Sequence, residues 1–441
     1  MKIILSGGGT LGPVTPLLAL LEQWRADKRN VDVVWVGTVN GPEAQLVRTH
    51  DVRFISIASV KLPRHFTPYW FVIPFLAIYA LVESWKVVKT EQPDVIVTAG
   101  GYVSVPLVLM ARLFGVCSWV HQQDIRPGLA NRIMSKVASR ISVTFKESAE
   151  AYPEKKTEVT GNAVRASLLN GDRQQASRKF GLDPSRKTLL VIGGGSGSVW
   201  INKSVSAIAS HLTAAWQVLH VDGPGKLDSV LASGERYVVE PLIGEGMDDA
   251  YAAADAVLCR AGLGTLTELA TVGKPAIVIP IPDSHQEDNA FFLYEHQAAL
   301  VLDQTETTPQ VLLSAIRSVM ESEDVQMRLA ANLKLTFPKD GTKRIADGVL
   351  ALAAESAAKW VRAETAKEMP KGTDETREPH EEISREREAV AMESIEDQLK
   401  RALCRGETDV DDVREAHHRY EAREDDPDRD ADDGAFRVTH V

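Results

Sequence analysis

The stretch MKIILSGGGTLGPVTPLLAL, residues 1–20, predicts a strand, a glycine turn and a helix in that order. KIILS is a short apolar run of the kind that forms a buried parallel strand. Three consecutive glycines let the backbone turn sharply, and Pro16 suits the first turn of the following helix. Free N–H groups at the positive end of that helix favour an anion such as phosphate. The spacing is neither GxGxxG nor the P-loop pattern, so nothing here favours a dinucleotide or P-loop site.

The same order of elements returns in the second half of the chain, where TLLVIGGGSGSVWINKSVSAI covers residues 188–208. Between and after these two stretches, Val/Ile-rich runs alternate with segments of helical length, as in VDVVWVG, DVIVTAGG, CSWVHQQ, RISVTF, AVLCRAG and PAIVIPI. Such alternation is typical of doubly wound α/β domains. The sequence therefore predicts two Rossmann-like domains in tandem, with a ligand cleft between the carboxyl ends of their strands.

The composition divides the chain further. We expect a first domain over residues 1–160, a second over 161–337, a closing helix over 338–355 and a charged tail over 356–441. The whole chain carries a net charge of −11, and roughly −10 of it falls in the tail. Because the tail has few large apolar residues and many charges, we expect it to be disordered, and the sequence specifies no partner for it. We expect no nucleic-acid partner.

The cysteines and the N-terminus bear on the compartment. Three widely spaced cysteines with no CxxC pair favour neither a disulfide framework nor a zinc site, and they fit a reducing cytosol. No charged region precedes a signal-like apolar run at the N-terminus, so we do not expect export.

One apolar and aromatic segment, FTPYWFVIPFLAIYALVESW, covers residues 66–85. Its uninterrupted apolar part is short for a bilayer, and Pro74 would kink it. Its aromatic side chains and flanking lysines and arginines favour an interfacial patch that faces anionic lipid. The alternative is an ordinary buried helix. We expect the membrane patch to include Trp70, Phe71, Phe75 and Trp85.

The most informative run is CRAGLGTLTE, residues 259–268. A strand ends there and a helix begins among small residues, so a ligand can approach the backbone N–H groups. A carboxylate in the first turns of that helix could accept two ribose hydroxyls, although a capped structural helix would look similar. The next strand ends in PDSHQEDNA, whose short polar side chains suit the hydroxyls of a sugar.

Seven motifs, in this order along the chain, resemble those of the MurG family: GGGTLGPVTP, AGGYVSVP, HQQD, GNAVR, GGGSGS, CRAGLGTLTE and HQEDNA. The resemblance covers roughly the first 355 residues. It implies a GT-B fold and an inverting transferase that moves N-acetylglucosamine (GlcNAc) from UDP-GlcNAc to undecaprenyl-pyrophosphoryl-MurNAc-peptide (lipid I), forming lipid II in peptidoglycan synthesis. It also implies no metal and no other cofactor, and a peripheral location on the cytoplasmic face of the cell membrane, through an apolar and basic surface.

The resemblance assigns part of the donor site to the start of one helix. It implies that Glu268 binds the ribose of the donor. It also implies that Leu263, Gly264 and Thr265 contact the UDP phosphates and the sugar.

Further donor contacts follow from other motifs. The resemblance implies that Gln286, with His285 beside it, recognises GlcNAc, and that Arg165 at the hinge is a basic donor-site residue. A main-chain group of Ile243, or of Leu242, would pair with uracil.

Two loops depart from the family pattern. In the first, Thr10, Leu11 and Gly12 would face the acceptor pyrophosphate, but Leu11 stands for a glycine and Pro13 for a histidine. In the second, Gly195 stands where the family has a phosphate-binding serine, with Ser196 beside it.

Because Pro13 cannot accept a proton, the general base must lie elsewhere. HQQD replaces the usual HEQN, which moves the carboxylate from the second position to Asp124. Asp124 and His121 follow a strand at the edge where ligands collect, and we favour Asp124 over His121 as the base. The alternative is that both side chains only hydrogen-bond the loop.

Two other functions stay open at this point. The departures lie in acceptor-facing loops, so a related GT-B transferase with another lipid-linked acceptor is one alternative. A degenerate sugar-nucleotide-binding scaffold that recruits partners through its tail is another. A nicotinamide-dependent dehydrogenase is disfavoured, because the fingerprint of its cofactor site is missing.

Overall fold

The computed structural model describes residues 1–61, 68–195, 197–226 and 234–368. Within these residues the strands form two sheets, and every pair of neighbouring strands is parallel. The first sheet contains β1 (Lys2–Ser6), β2 (Asp32–Gly37), β3 (Arg53–Ser56), β4 (Val95–Thr98), β5 (Cys117–Gln122), β6 (Arg140–Val143) and β7 (Thr157–Val159). The second contains β8 (Thr188–Ile192), β9 (Gln217–Val221), β10 (Tyr237–Glu240), β11 (Ala256–Cys259), β12 (Ala276–Val278) and β13 (Leu300–Val301).

The strand orders are β3-β2-β1-β4-β5-β6-β7 and β10-β9-β8-β11-β12-β13. In both sheets the strand that leads into a glycine loop, β1 or β8, lies in the interior, where the strand order reverses direction. This is the topological switch point at which open α/β sheets bind ligands. The predicted fold class, two doubly wound Rossmann-like domains, is confirmed. We call the two sheets with their helices the first and second lobes.

Helices of the first lobe connect its strands. They are α1 (Thr15–Ala26), α2 (Glu43–Arg48), α3 (Ile73–Glu91), α4 (Ser104–Leu113), α5 (Leu129–Val137) and α6 (Lys146–Ala149). The second lobe continues with α7 (Arg173–Phe180), α8 (Val199–Ala207), α9 (Ala209–Ala215), α10 (Met247–Ala253), α11 (Leu263–Val272), α12 (Gln286–Glu295), α13 (Pro309–Met320) and α14 (Glu323–Thr336). A long last helix, α15 (Gly341–Glu368), follows.

Burial on both faces explains why the strands are apolar at nearly every position. In β1, Ile3 and Leu5 belong to the core that contains α1, whereas Ile4 belongs to the core on the opposite face, with α4. Successive side chains of a strand point to opposite faces, so a strand covered on both sides needs a continuous apolar run. The apolar run KIILS therefore indicates a central strand that is covered on both faces.

Helix α15 packs on the first lobe, although it follows the second lobe in sequence. Its Ile345, Val349 and Leu352 lie in the same core as the residues of α1. The Trp24 indole donates a hydrogen bond to the Ala346 carbonyl at 3.2 Å. The helix runs to Glu368, beyond the end at residue 355 that we expected. The chain therefore crosses between the lobes twice.

The apolar segment forms a 3-10 helix, Pro68–Phe71, followed by α3. Side chains on one face of α3 are buried, while Trp70, Phe71, Phe75 and Ile78 are exposed. Trp85, also predicted for the patch, differs from these four residues because it is half-buried. It lies toward the far end of α3, with the Lys89 ammonium 4.7 Å from its ring centre. Across the described ranges, we find no helix with the length and apolarity needed to cross a bilayer.

The predicted disorder of the tail falls largely on residues 369–441, which lie outside the described part of the chain.

Candidate active site

The buried carboxylate of Glu43 supports the first glycine loop, residues 7–14. Glu43 accepts hydrogen bonds from the backbone N–H of Gly9 at 3.2 Å and from the N–H and hydroxyl of Thr38 at 2.6 and 2.5 Å. The N–H of Gly9 is therefore occupied by the protein itself. The anion seat that the sequence predicts at this loop must use other groups, and Thr10 and Gly12 are the exposed residues there.

The second glycine loop, residues 193–198, is anchored by a buried arginine. Arg260 donates to the Ser198 hydroxyl at 2.7 Å and to the Gln304 side-chain oxygen at 2.6 Å. Ser198 is also the N-cap of α8, where its hydroxyl accepts from the N–H of Ile201. Ser196 lies outside the described residues, so its role stays a prediction. The anchored loop presents Gly195 toward the first lobe.

Helix α11 begins at the edge of the second sheet without a side-chain cap. Its N-cap is Gly262, and Leu263 is buried, whereas Gly264 and Thr265 are partly exposed. An uncapped helix start leaves backbone N–H groups and the positive end of the helix dipole for a ligand. The small residues predicted to contact phosphate thus lie together at one helix end.

Glu268 of α11 lies next to the predicted hinge arginine. An Arg165 guanidinium nitrogen lies 3.3 Å from one carboxylate oxygen, and the Tyr251 hydroxyl donates to the other at 2.7 Å. Burial, followed by the Glu268 charge, raises the pKa of Tyr251 well above its ordinary value, so the phenol stays protonated as a donor. The structure brings together two residues that the sequence assigned to the donor, and both are mostly buried.

Gln286 is fixed by the backbone of the second lobe. Its side-chain oxygen accepts from the N–H of Ala261 at 3.2 Å and of Ile281 at 3.3 Å. These bonds occupy the oxygen and set the direction of the amide nitrogen, the donor that would meet a sugar carbonyl or hydroxyl. His285 precedes it and is half exposed. Ile243 lies in the loop after β10 and packs against the core of the second lobe. It is separated in sequence from His285 and Gln286.

Asp124 projects from the first lobe into contact with the second. One carboxylate oxygen accepts a hydrogen bond from the Asn289 amide at 2.9 Å, and the other lies 3.9 Å from the His285 ring nitrogen Nε2. Gln122 holds the loop from behind by donating to the Asp124 carbonyl at 2.8 Å. The side chain is 28% exposed, so a substrate can reach it.

His121 does not share this position. It is buried, and its ring nitrogens lie 2.9 Å from the Ser142 hydroxyl and 2.9 Å from the Asn162 side-chain oxygen. Because that oxygen can only accept, Nε2 carries the proton and Nδ1 accepts from Ser142. Burial lowers the pKa of His121 to about 4. Both ring nitrogens of His121 thus have protein partners, which favours Asp124 over His121 as the general base.

The seam between the lobes is polar around Asp124. The Ile125 N–H donates to the Asn289 oxygen at 3.0 Å, and Arg126 forms a 2.9 Å ion pair with Asp288. Farther along, the Asn162 amide donates to the Thr267 hydroxyl at 2.9 Å. We call these contacts, together with the Asp124–Asn289 bond, the polar seam. It places the Asp124 carboxylate of the first lobe beside the second-lobe segment that carries His285 and Asn289.

Two positions escaped the sequence analysis as site residues: Glu43 and Tyr251. Glu43 lies on α2, outside every motif considered, and only its burial with three donors shows its role. Asn289 is one of the short polar residues of PDSHQEDNA that the sequence suggests for sugar hydroxyls, and its position one helical turn after His285 fits a shared helix face. In the described residues, no group of three or more His, Cys, Asp or Glu side chains is arranged to hold a metal ion.

Known proteins resemble the chain over both lobes. Residues 3–143 match the glycosyltransferase family 28 N-terminal domain, and residues 188–345 match the family 28 C-terminal domain. The UDP-N-acetylglucosamine–N-acetylmuramyl-(pentapeptide) pyrophosphoryl-undecaprenol N-acetylglucosamine transferase of Legionella pneumophila (strain Paris) is 34% identical, over 73% of this chain and 90% of that enzyme. The enzyme of the same name from Clostridium perfringens (strain ATCC 13124) is 32% identical over 78% of this chain and 97% of its own.

Among solved structures, Acinetobacter baumannii MurG superimposes with a TM-score of 0.58 at 24% identity, covering 79% of this chain and 99% of that one. This likeness concerns the fold. The sequence likeness spans nearly the full length of the enzymes and includes both faces of the cleft described above. The chain therefore belongs to the MurG family of glycosyltransferases.

Proposed function

We propose that this chain transfers GlcNAc from UDP-GlcNAc to undecaprenyl-pyrophosphoryl-MurNAc-pentapeptide, lipid I, and so forms lipid II with inversion at the anomeric carbon. The observation that carries the proposal is the match to enzymes of that name over 90–97% of their length. Both lobes are needed for such a transfer, and both are present with their loops meeting at one seam.

The second lobe would bind the donor. Glu268, oriented by Tyr251 and Arg165, would accept the ribose hydroxyls, and the Ile243 main chain would pair with uracil. The pyrophosphate would lie at the start of α11, against the N–H groups of Leu263, Gly264 and Thr265. Gln286, with His285 beside it, would bind the GlcNAc group.

Charge develops on UDP as its bond to the sugar breaks. The positive end of α11, a helix of ten residues, points at the proposed pyrophosphate position and would stabilise that charge. Arg165 adds a fixed positive charge near the ribose end of the site. These groups are in place before reaction, so they need no reorganisation when the charge appears.

Asp124 would be the general base. In an inverting transfer, the acceptor hydroxyl attacks the anomeric carbon from the face opposite UDP, and a base takes its proton. Asp124 comes from the acceptor lobe and meets the sugar-side loop of the donor lobe through Asn289 and His285. A carboxylate at this junction lies where the acceptor hydroxyl and the sugar would meet.

The exposed apolar residues of the 3-10 helix and of the first turns of α3 would hold the protein on a lipid surface. Trp70, Phe71, Phe75 and Ile78 are 39%, 73%, 54% and 39% exposed and lie within nine positions. Apolar side chains gathered in this way mark an interaction surface. We propose peripheral attachment at the cytoplasmic face of the cell membrane, where a lipid-linked acceptor would be presented.

The test is transfer by the purified full chain from UDP-GlcNAc to a lipid I analogue, with UDP release and product mass as readouts. Transfer with inversion supports the proposal. UDP-GlcNAc binding without transfer to any acceptor would favour the scaffold alternative, and transfer only to another lipid-linked sugar would favour a related transferase.

A further inference from the structure

The two glycine loops touch through one side chain. A Cβ atom built at Gly195 would lie 2.7 Å from Cβ of Leu11 and 2.9 and 3.0 Å from its Cδ1 and Cγ. The first two distances are shorter than those that real Cβ atoms show, so the Leu11 side chain occupies the space beside the Gly195 backbone. Gly195 has no positive φ value that would demand glycine. The contact with Leu11 accounts for the lack of a side chain at this position.

Neither loop can easily move away from this contact. The Leu11 carbonyl accepts from the N–H groups of Val14 and Thr15 at 3.1 and 3.3 Å. Gln123, the residue after β5, donates to the Gly12 carbonyl at 3.2 Å and so ties the first loop to the end of that strand. In the second glycine loop, the hydrogen bond from Arg260 to the Ser198 hydroxyl holds the backbone in place, as described above. Leu11 and Gly195 thus meet as two supported surfaces.

A second close approach locates the contact. A Cβ atom at Gly264 would lie 3.2 Å from the Thr15 hydroxyl oxygen, so the start of α1 faces the start of α11. The apolar Leu11 side chain is therefore near the uncapped helix end where the donor pyrophosphate is proposed to lie. It is half-buried and also packs against the core of the first lobe.

We propose that Leu11 and Gly195 are a matched positioning pair. The Leu11 side chain closes the gap between the two glycine loops, covers the donor pyrophosphate and excludes water from it. This inference rests on the proposed function. In the unwanted reaction a water oxygen bonds to the anomeric carbon, the bond from that carbon to the phosphate oxygen breaks, UDP leaves, and the water proton passes to solvent. Water excluded by Leu11 cannot compete with the acceptor hydroxyl.

The pair is tested by a double-mutant cycle in the full chain. Leu11→Gly should raise UDP-GlcNAc hydrolysis without acceptor about tenfold relative to transfer, because the side chain that closes the seam is gone. Gly195→Ala should cut kcat for transfer by about tenfold through crowding against Leu11. The double variant should recover most of the transfer rate lost in Gly195→Ala, since the crowding partner is removed. Leu11→Met should keep the wild-type ratio of transfer to hydrolysis.

Matched controls are Leu113→Gly, at an exposed leucine on the same lobe, and Gly128→Ala, where a Cβ meets no atom within 4 Å. Both should behave like wild type. Additive effects of the two pair variants, or an unchanged ratio of transfer to hydrolysis in Leu11→Gly, would overturn the inference.

A second readout does not depend on transfer. Amide hydrogen exchange in the second glycine loop, measured with UDP bound, should be faster in Leu11→Gly than in wild type. If wild type transfers no sugar, the proposed function fails. The exchange measurement still decides whether Leu11 closes the gap between the two glycine loops. Equal exchange in the two proteins would reject the pair.

Discussion

The Arg165 guanidinium lies 3.3 Å from the Glu268 carboxylate, although 103 positions separate the two residues in sequence. Arg165 follows the crossing into the second lobe and Glu268 lies in α11, so folding of that lobe alone brings them together. Each is also a residue that the family resemblance places at the donor. Their pairing turns two separate sequence assignments into one site.

We expect Glu268→Gln to weaken UDP-GlcNAc binding by about 1–3 kcal/mol, because charged hydrogen bonds to the ribose are lost. The amide keeps the side-chain volume, so the fold should persist. Isothermal titration gives the affinity. Tyr251→Phe, which removes only the hydroxyl that orients the carboxylate, should give a smaller loss. Unchanged affinity in Glu268→Gln would remove the ribose assignment.

Asp124→Asn should lower kcat about a hundredfold and leave donor affinity intact, the usual scale for loss of a general base. Steady-state transfer kinetics give kcat, and isothermal titration with UDP-GlcNAc gives the donor affinity. Asp288→Asn is the matched control, since it removes a neighbouring carboxylate that pairs with Arg126. Should His285→Ala lose turnover while Asp124→Asn keeps it, the base is His285.

Binding to anionic lipid vesicles should fall sharply in the double variant Phe71→Ser/Phe75→Ser, since each buried aromatic contributes about 1.5–3 kcal/mol. Sedimentation with vesicles measures the bound fraction. The melting temperature should change little, because both rings are exposed. Leu113→Ser/Leu335→Ser replaces two leucines that are 75% and 78% exposed elsewhere and should bind like wild type. Equal loss in both double variants would contradict a localised patch.

Stability should fall as the pH drops from about 6.5 toward 4, partly through His220. This buried ring lies 2.7 Å from the Tyr237 hydroxyl and 3.0 Å from the Asn202 side-chain oxygen, and burial lowers its pKa to about 4. The unfolded chain binds the proton more tightly, so protonation favours unfolding across that window. The share of this loss that comes from His220 should be about 2 kcal/mol at pH 5 relative to pH 8.

Urea denaturation of His220→Gln at both pH values checks this expectation. The variant should lose less stability than wild type on acidification, whereas His211→Gln, at an exposed ring, should match wild type. An identical pH dependence in wild type and His220→Gln would contradict it.

The fold was predictable because central parallel strands need continuous apolar runs. All six Val/Ile-rich runs and both strand–glycine–helix units correspond to observed strands. The short edge strands β3, β7, β10 and β13 were not predicted, since an edge strand carries mixed residues such as those of RFIS. The interior strand β9, QVLHV, was missed although its residues are all buried, because a glutamine and a histidine interrupt the run.

The site was predictable only in part. Local motifs placed Gly264 and Thr265 at the start of one helix and Gln286 after the next strand, because residues close in sequence determine these positions. Their contact with the donor stays a prediction. The burial of His121 could not be read from HQQD, since it depends on Asn162, which lies 41 positions later. The contact of Leu11 with Gly195 depends on how two lobes meet, and no local pattern records it.

Helix α15 completes the first lobe although it follows the second lobe in sequence, so the first lobe is not one continuous segment of the chain. The Trp24 indole finds its acceptor in α15, and a Cβ at Gly348 would lie 2.5 Å from the Trp119 ring, so the helix seats closely on both tryptophans. A fragment that stops at residue 160 would expose this surface to water and leave the buried indole N–H without its partner. During synthesis, the first lobe must therefore wait for almost the whole second lobe to emerge before its core is closed.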